Sequence, residues 1–390
     1  MSCELSIVIP CLNEAASLGE CLRKARLFLE EHHVAGEIIV ADNGSADGSL
    51  AIALQYNAIV VHEMEKGYGR TLMTGIDQAQ GDYIIMGDAD ASYDFSAIMP
   101  FLQLLREGND LVIGNRFKGG IRKGAMPFMN RYVGNPVLSF TGRLFFRIPT
   151  GDFHCGLRGF SKKCYEQLFL RTTGMEFASE MIVKAALLRM KIAETPVVLY
   201  PDKRQQPSHL RPWRDGWRHL RFLLLYSPRW LFLVPGILLM LLGLAGSVIL
   251  VAGPVHLGSK KLDIHTLMYT AGALLLGFQF ISLYVFTKVY AATHGLLPHQ
   301  QRFMDGFNRW FKLEKGILSG LLLLAGGLFL NIKSFLYWKN TGFGNLDPVK
   351  VLRWVIPSVT LVLLGVQVIL SCFYLSILTI KSREPGNTRP

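Results

Sequence analysis

The first 229 residues alternate short apolar runs with longer stretches of helical spacing. "LSIVIP" reads as a short buried strand stopped by Pro10. In "NEAASLGECLRKARLFLEEH" the apolar residues Leu18, Leu22, Ala25 and Leu29 recur at intervals of four, three and four, the period of one helix face. "EIIVAD" predicts a second strand, and "GSLAIALQY" a helix that opens after the turn residues "NGSADG". "AIVVHE" follows as a third strand, "RTLMTGIDQAQ" as a helix and "DYIIMGDAD" as a fourth strand. Strands separated by helices predict an α/β domain with a parallel sheet and helices on both faces. Ligands of such sheets bind beyond the carboxyl ends of the strands.

From Trp230 the pattern changes. Residues 230–253, 266–290, 316–336 and 353–380 are long stretches nearly free of charge. A helix needs about 20 apolar residues to cross a bilayer. The third stretch is the weakest, because Asn331 and Lys333 fall at its end. One such stretch alone could be a buried core helix; four in series predict an all-α transmembrane region. The expected organisation is therefore an α/β domain over 1–202, a basic juxtamembrane segment over 203–229, four transmembrane helices over 230–380 and a tail over 381–390.

Composition supports this division. Half of the chain is hydrophobic, and the mean hydropathy of +0.29 is too apolar for an ordinary soluble enzyme. The start, "MSCELSIVIPCLNE", lacks the basic n-region of a secretory signal, so the first domain is expected in the cytoplasm. Lys203, Arg204, Arg211, Arg214, Arg218, Arg221 and Arg229 stand just before the first apolar stretch against one acid, Asp215. Such a bias marks the cytoplasmic side. It predicts a multi-pass protein of the inner or plasma membrane, with both the first domain and the C-terminus cytoplasmic. Arg211, Arg214, Arg218 and Arg221 share one helical face, and Trp213, Trp217, Leu220 and Leu224 a neighbouring one. That amphipathic pattern suits a membrane interface, or alternatively a helix docked on the first domain. The net charge of +12 fits an anionic membrane surface and anionic substrates. No nucleic-acid recognition motif accompanies it. The six cysteines form no C-x-x-C pair and are expected to be free thiols.

Three strands deliver polar residues to the carboxyl edge of the sheet. The first ends near Pro10, Asn13 and Glu14, the second at Asp42 and Asn43, the fourth at Asp88 and Asp90. Alternation in an extended segment puts Asp88 and Asp90 on the same side. Two carboxylates so placed need a cation. The D-x-D pattern therefore suggests a hard divalent metal, Mg²⁺ or Mn²⁺, that keeps open positions for substrate phosphates. By itself D-x-D occurs often by chance; its place after an apolar strand, with Asp42 ending another, favours the metal over a solvated loop.

The segments "SIVIPCLNEAASL", "IIVADNGSADGS", "KGYGRTLMTGIDQAQGDYIIMGDADASYDF", "LVIGNRF" and "TGDFHCGLRGF" occur in that order. Together they resemble the GT-A glycosyltransferases of family 2, in the dolichol-phosphate mannosyltransferase-like branch that glycosylates polyprenyl phosphates. The resemblance covers about 1–229. It implies a GT-A domain with a Rossmann-like, mainly parallel sheet. It implies that Pro10, Glu14 and Asp42 hold the nucleotide of a UDP- or GDP-sugar, and that Asp88, Ala89 and Asp90 form the metal and diphosphate motif. Where family members often carry a Gln as a further metal ligand, this chain has Ser92. The resemblance also implies that Arg116 and Arg131 grip the phosphate of an undecaprenyl or dolichyl acceptor. Arg204 matches an arginine near the donor diphosphate, although the family's Ser-Lys pair reads Ser208-His209 here. Asp152 and Glu180 are further candidates; Asp152 could orient Arg158 or the acceptor, or serve in a purely structural ion pair.

The expected activity is inverting, metal-dependent transfer of a single sugar to a polyprenyl phosphate. Two alternatives stay open. A processive polysaccharide synthase would usually carry Q-x-x-R-W, and the nearest match is "YSPRW" with Tyr226 in place of Gln. A transporter or flippase would tend to need ionisable residues within the spans, and these hold no internal Asp, Glu or Arg, with Lys288 near the end of the second the closest exception. A homo-oligomer is compatible with the pattern.

Overall fold

Seven strands form one sheet in the first of two units, which span residues 1–227 and 228–390. The computed structural model describes residues 3–203, 212–293, 306 and 312–380. In chain order the strands are β1 (Leu5–Cys11), β2 (Gly36–Asp42), β3 (Ile59–His62), β4 (Tyr83–Met86), β5 (Leu111–Asn115), β6 (Arg158–Ser161) and β7 (Ile192–Pro196). Their spatial order is β3-β2-β1-β4-β6-β5-β7. β1 pairs in parallel with β2 and β4, β2 with β3, and β5 with β7. Only β6 runs antiparallel, between β4 and β5, with Met86 opposite Arg158. The sheet is thus mainly parallel, as the GT-A expectation requires.

Leu5, Ile7, Val8 and Ile9 of β1 are all buried. A strand whose successive side chains point to opposite faces can bury all of them only when both faces are covered. Helix α1 (Ala15–Glu31) buries Leu18, Leu22, Ala25 and Leu29, the stripe its spacing predicts, together with Phe28. Helix α2 (Ser49–Gln55) leads into β3, and α3 (Tyr68–Gln78) packs on β1 and β2. There Gly75 lies so near Val8 and Ala41 that a Cβ would come within 2.9 Å of Val8. Next in the chain come α4 (Met99–Arg106), the single turn α5 (Arg116–Gly119), α6 (Asn135–Phe146), α7 (Lys162–Leu168) and α8 (Phe177–Leu187).

Two local expectations need correction. Pro10 does not stop β1, which runs on to Cys11 with Pro10 opposite Ala41. The fourth strand ends at Met86, before both aspartates. Asp88, Ala89 and Asp90 sit in a turn in which Ala91 takes a left-handed φ of 59°. Alternation along a strand therefore does not set their side chains; the turn does.

Helix α9 (Pro212–Tyr226) closes the first unit. Phe222 and Leu223 are buried in the domain core, whereas Trp213 and Trp217 are exposed. The helix is docked on the domain by one face, and its two tryptophans are exposed.

Among the described residues the second unit has four helices long and apolar enough to cross a membrane: Arg229–Ala252, Ile264–Thr293, Leu313–Asn340 and Pro348–Leu378. A two-stranded hairpin, Val255–Leu257 with Lys260–Leu262, joins the first two. Glycines set the helix contacts. A Cβ on Gly243 would lie 2.4 Å from the backbone nitrogen of Leu274, and one on Gly365 would lie 2.7 Å from the carbonyl of Gly320. Small residues that let backbones approach are what helix pairs use in lipid, where apolar burial adds little. The outer surface carries exposed Leu241, Leu322 and Phe329, a surface suited to hydrocarbon.

Candidate functional site

The carboxyl ends of β1, β2 and β4 open on a cavity of about 1070 Å³. Pro10, Glu14, Asn43, Asp88, Ala89 and Asp90 lie on its wall. Glu14 is buried at the start of α1, where its backbone N–H donates to Ser49 Oγ at 2.9 Å. Asp42 is buried and does not reach the wall. Its carboxylate accepts the amides of Gly44 (3.0 Å) and Ser45 (3.1 Å) and so shapes the turn that follows β2. Asn43 ties the facing loop down, donating to the carbonyls of Glu63 and Glu65 and accepting the amide of Gly67.

Asp88 is held on two sides. Tyr68 donates its hydroxyl to Oδ1 at 2.9 Å, and a Cβ on Gly156 would come within 2.6 Å of Oδ2. Burial, then the neighbouring Asp88, raises the Tyr68 phenol well above its ordinary value, so it remains a donor. Asp90 accepts the amide of Ser92 at 3.0 Å, and its carbonyl accepts the amide of Lys203 at 3.1 Å. Arg204, the next residue, lies outside the described residues.

Arg116 and Asp152 form a buried bidentate pair. Nε and Nη2 of Arg116 donate to Oδ2 and Oδ1 of Asp152 at 2.6 and 2.8 Å, and the Arg116 amide adds a third bond at 3.0 Å. Burial works against the Arg116 charge, but Tyr93 and Asp152 outweigh it and hold the guanidinium protonated. Arg116 lies on the cavity wall; Asp152 is fully buried behind it. Asp152 therefore orients Arg116, not Arg158. Arg158 is instead satisfied by the carbonyls of Cys155, Phe153 and Ala178. Arg131 sits in the π-helical stretch Asn130–Gly134 that leads into α6, its guanidinium 5.4 Å from the Tyr132 ring. Its neighbours Asn130 and Gly134 line the cavity, and Arg131 does not. Glu180 is fully buried and away from the wall, accepting the amides of Arg171 and Thr172, the Thr172 hydroxyl and the Lys184 ammonium. It holds the 171–174 loop.

The cavity also takes Tyr68, Tyr93, His154 and His219, to which the sequence assigned no role, and Arg214 and Arg218 of α9, which it placed on the basic face of an amphipathic helix. Tyr68 and His154 were visible inside "KGYG" and "DFHCG", but only folding brings them to Asp88 and Arg116.

The acids present suit one kind of metal. Among the described residues no group of three or more His, Cys, Asp or Glu side chains could close around an ion. Asp88 and Asp90 supply hard oxygen donors on the wall of an open cavity. Such a pair fits Mg²⁺ or Mn²⁺ completed by substrate phosphate oxygens and water, and does not fit a closed structural site.

Residues 6–169 match the family described as Glycosyl transferase family 2, and residues 285–379 match the Glycosyltransferase family 2 C-terminal transmembrane region. The low-salt glycan biosynthesis hexosyltransferase Agl6 of Haloferax volcanii is 35% identical over 372 residues, which cover 95% of this chain and 88% of that one. A dolichyl-phosphate hexose transferase of the same organism is 25% identical over 197 residues, 50% of this chain and 82% of that one. Among solved structures, glucosyl-3-phosphoglycerate synthase from Mycobacterium tuberculosis in complex with uridine diphosphate has a TM-score of 0.44 at 20% identity, covering 57% of this chain and 80% of that one. A full-length relative and two matches that fall in the two halves of the chain leave one assignment: this is a membrane protein of glycosyltransferase family 2, enzymes that transfer a sugar from a nucleotide-sugar donor.

Proposed function

We propose that the chain transfers a single hexose, with inversion and with a divalent metal, from a UDP- or GDP-sugar to a polyprenyl phosphate at the cytoplasmic face of the membrane. The observation that carries this reading is one cavity wall holding both the acidic pair Asp88 and Asp90 and the cation Arg116, in a chain that continues into four apolar helices. Such a wall suits a reaction between two phosphorylated partners. The likeness to a hexosyltransferase over 95% of the chain supports the sugar class, and the likeness to a dolichyl-phosphate hexose transferase supports the lipid.

The residues divide the work by charge. Pro10, Glu14 and Ala89 flank the place for the nucleotide, with Asp42 shaping the turn behind them. Asp88 and Asp90 would hold Mg²⁺ or Mn²⁺, which when bound neutralises charge building on the departing diphosphate. Tyr68 keeps the Asp88 carboxylate aimed. Arg116, locked by Asp152, offsets the charge of the acceptor phosphate, and Arg131 stands on the adjoining π-helical stretch. Arg204 is proposed for the donor diphosphate. No strong general base is required, because a phosphate monoester with a second pKa of about 6 is mostly ionised at neutral pH. Its repulsion from the donor diphosphate is the obstacle, and cations on the wall reduce it. The exposed Trp213 and Trp217 on α9 would lie in the headgroup layer, where a lipid phosphate presents itself.

The test is a panel of radiolabelled nucleotide sugars with undecaprenyl phosphate and the detergent-solubilised chain. Label should enter a lipid-extractable product, and Asp90→Ala or excess EDTA should abolish it without lowering the melting temperature. Label that stays water-soluble with every donor rejects the lipid acceptor. Activity that survives both treatments rejects the metal.

A further inference from the structure

We propose that His154 is a seat for the phosphate monoester of the acceptor, donating a ring N–H to it at a point between Arg116 and Asp88. This rests on the transfer to a phosphorylated acceptor proposed above.

The loop that carries His154 is pinned at both ends to the two charged parts of the site. At one end Asp152 grips the Arg116 guanidinium at 2.6 and 2.8 Å. At the other, Gly156 abuts Asp88, and its amide donates to the Tyr93 hydroxyl at 3.0 Å. His154 stands midway and lines the cavity. Asp88, Arg116 and His154 all line this one cavity.

His154 also lacks what a buried imidazole needs. Neither ring nitrogen has a hydrogen-bond partner, and both are covered. An unpaired buried polar group is costly and calls for an explanation. A core packing role would be served by an apolar ring at no such cost. A half-turn about χ2 exchanges the nitrogen and carbon edges of the ring, so a nitrogen can meet a ligand without backbone movement. Burial, followed by the nearby His219, Arg158 and Arg116, pushes this imidazole well below its ordinary pKa. It is neutral in the ligand-free fold, and an arriving dianion favours its N–H as donor. His219 of α9 packs against the ring with centroids 4.5 Å apart, and Ser179 Oγ lies 2.8 Å from His219 Nδ1.

A phosphate monoester could be a lipid headgroup or a water-soluble ester, and the experiment separates them. Calorimetry on the full chain in detergent would use farnesyl phosphate, glycerol 3-phosphate and UDP with Mn²⁺, for wild type, His154→Phe and His154→Gln. Loss of a hydrogen bond to a charged group should weaken farnesyl phosphate about tenfold or more in His154→Phe, and His154→Gln, which keeps an N–H donor, should lose less. UDP affinity should change less than twofold, and His154→Phe should not lower the melting temperature. Unchanged farnesyl phosphate affinity in the variants overturns the seat and leaves the lipid acceptor standing, as does a fall in UDP affinity of equal size. Binding of glycerol 3-phosphate but not farnesyl phosphate, lost in His154→Phe, keeps the seat and removes the lipid. If wild type binds neither ester, the seat is wrong.

Discussion

At the residue scale the buried pair Arg116–Asp152 separates stability from function. Removing one partner of a buried ion pair leaves the other charge uncompensated, which costs about 3–5 kcal/mol. Asp152→Asn is therefore expected to lower the melting temperature of the detergent-solubilised chain sharply. Replacing both partners by apolar residues, Arg116→Met with Asp152→Leu, should restore most of that stability because no charge is stranded. Transfer should stay lost in the double variant. Recovery of activity together with stability would make the pair scaffold only. Glu180 gives a pH test. Burial opposes its charge, but Lys184, Thr172 and the Arg171 amide outweigh burial and hold its carboxyl below the usual carboxylate value. A lowered folded pKa contributes stability that is complete above the unfolded value of about 4.3 and is lost as pH falls through the folded one. Glu180→Gln should therefore melt lower than wild type at pH 7, and the gap should close on acidification below pH 4. A gap independent of pH would mean that the side chain acts by shape alone.

At the element scale, contacts between the apolar helices depend on positions with no side chain. Gly243→Leu places a Cβ 2.4 Å from the Leu274 backbone nitrogen, and backbone cannot yield as a side chain would. The two helices must separate, so a clear fall in melting temperature in micelles is expected. Leu241→Ala, two residues earlier but 60% exposed, should change it little, by about 0.5 kcal/mol or less. Equal effects of the two changes would mean that the helix pair is not closed at Gly243. The same scale explains why β6 was not legible in the chain. "RGFS" is four residues long and opens on an arginine. Its burial makes sense only once the carbonyls of Cys155, Phe153 and Ala178 converge on Arg158. The antiparallel strand is thus paid for by contacts remote in sequence.

At the scale of the whole molecule, four spans should return the chain to the side on which it began. A reporter after Pro390 and one inserted at Gly258, in the hairpin between the first two apolar helices, should label opposite sides, the former cytoplasmic. Same-side labelling would mean that one helix lies in the membrane plane instead of crossing it.

The chain by itself determined what depends on local period and composition. Apolar spacing of three and four located α1, short apolar runs located β1 to β4, and uninterrupted hydrophobicity located the four long helices, because burial and lipid exposure each impose a pattern readable within one element. The polar residues at strand ends pointed to the edge of the sheet on which the cavity opens. Tertiary structure alone decided which of those polar residues share a wall. Asp42 turned inward to cap a turn, Arg131 stayed one position off the wall, and Asp152 chose Arg116 over Arg158. Asp42 is taken up by the amides of Gly44 and Ser45 beside it, whereas Asp152 meets the guanidinium and amide of Arg116 from a remote part of the chain. Periodicity carries no trace of these contacts.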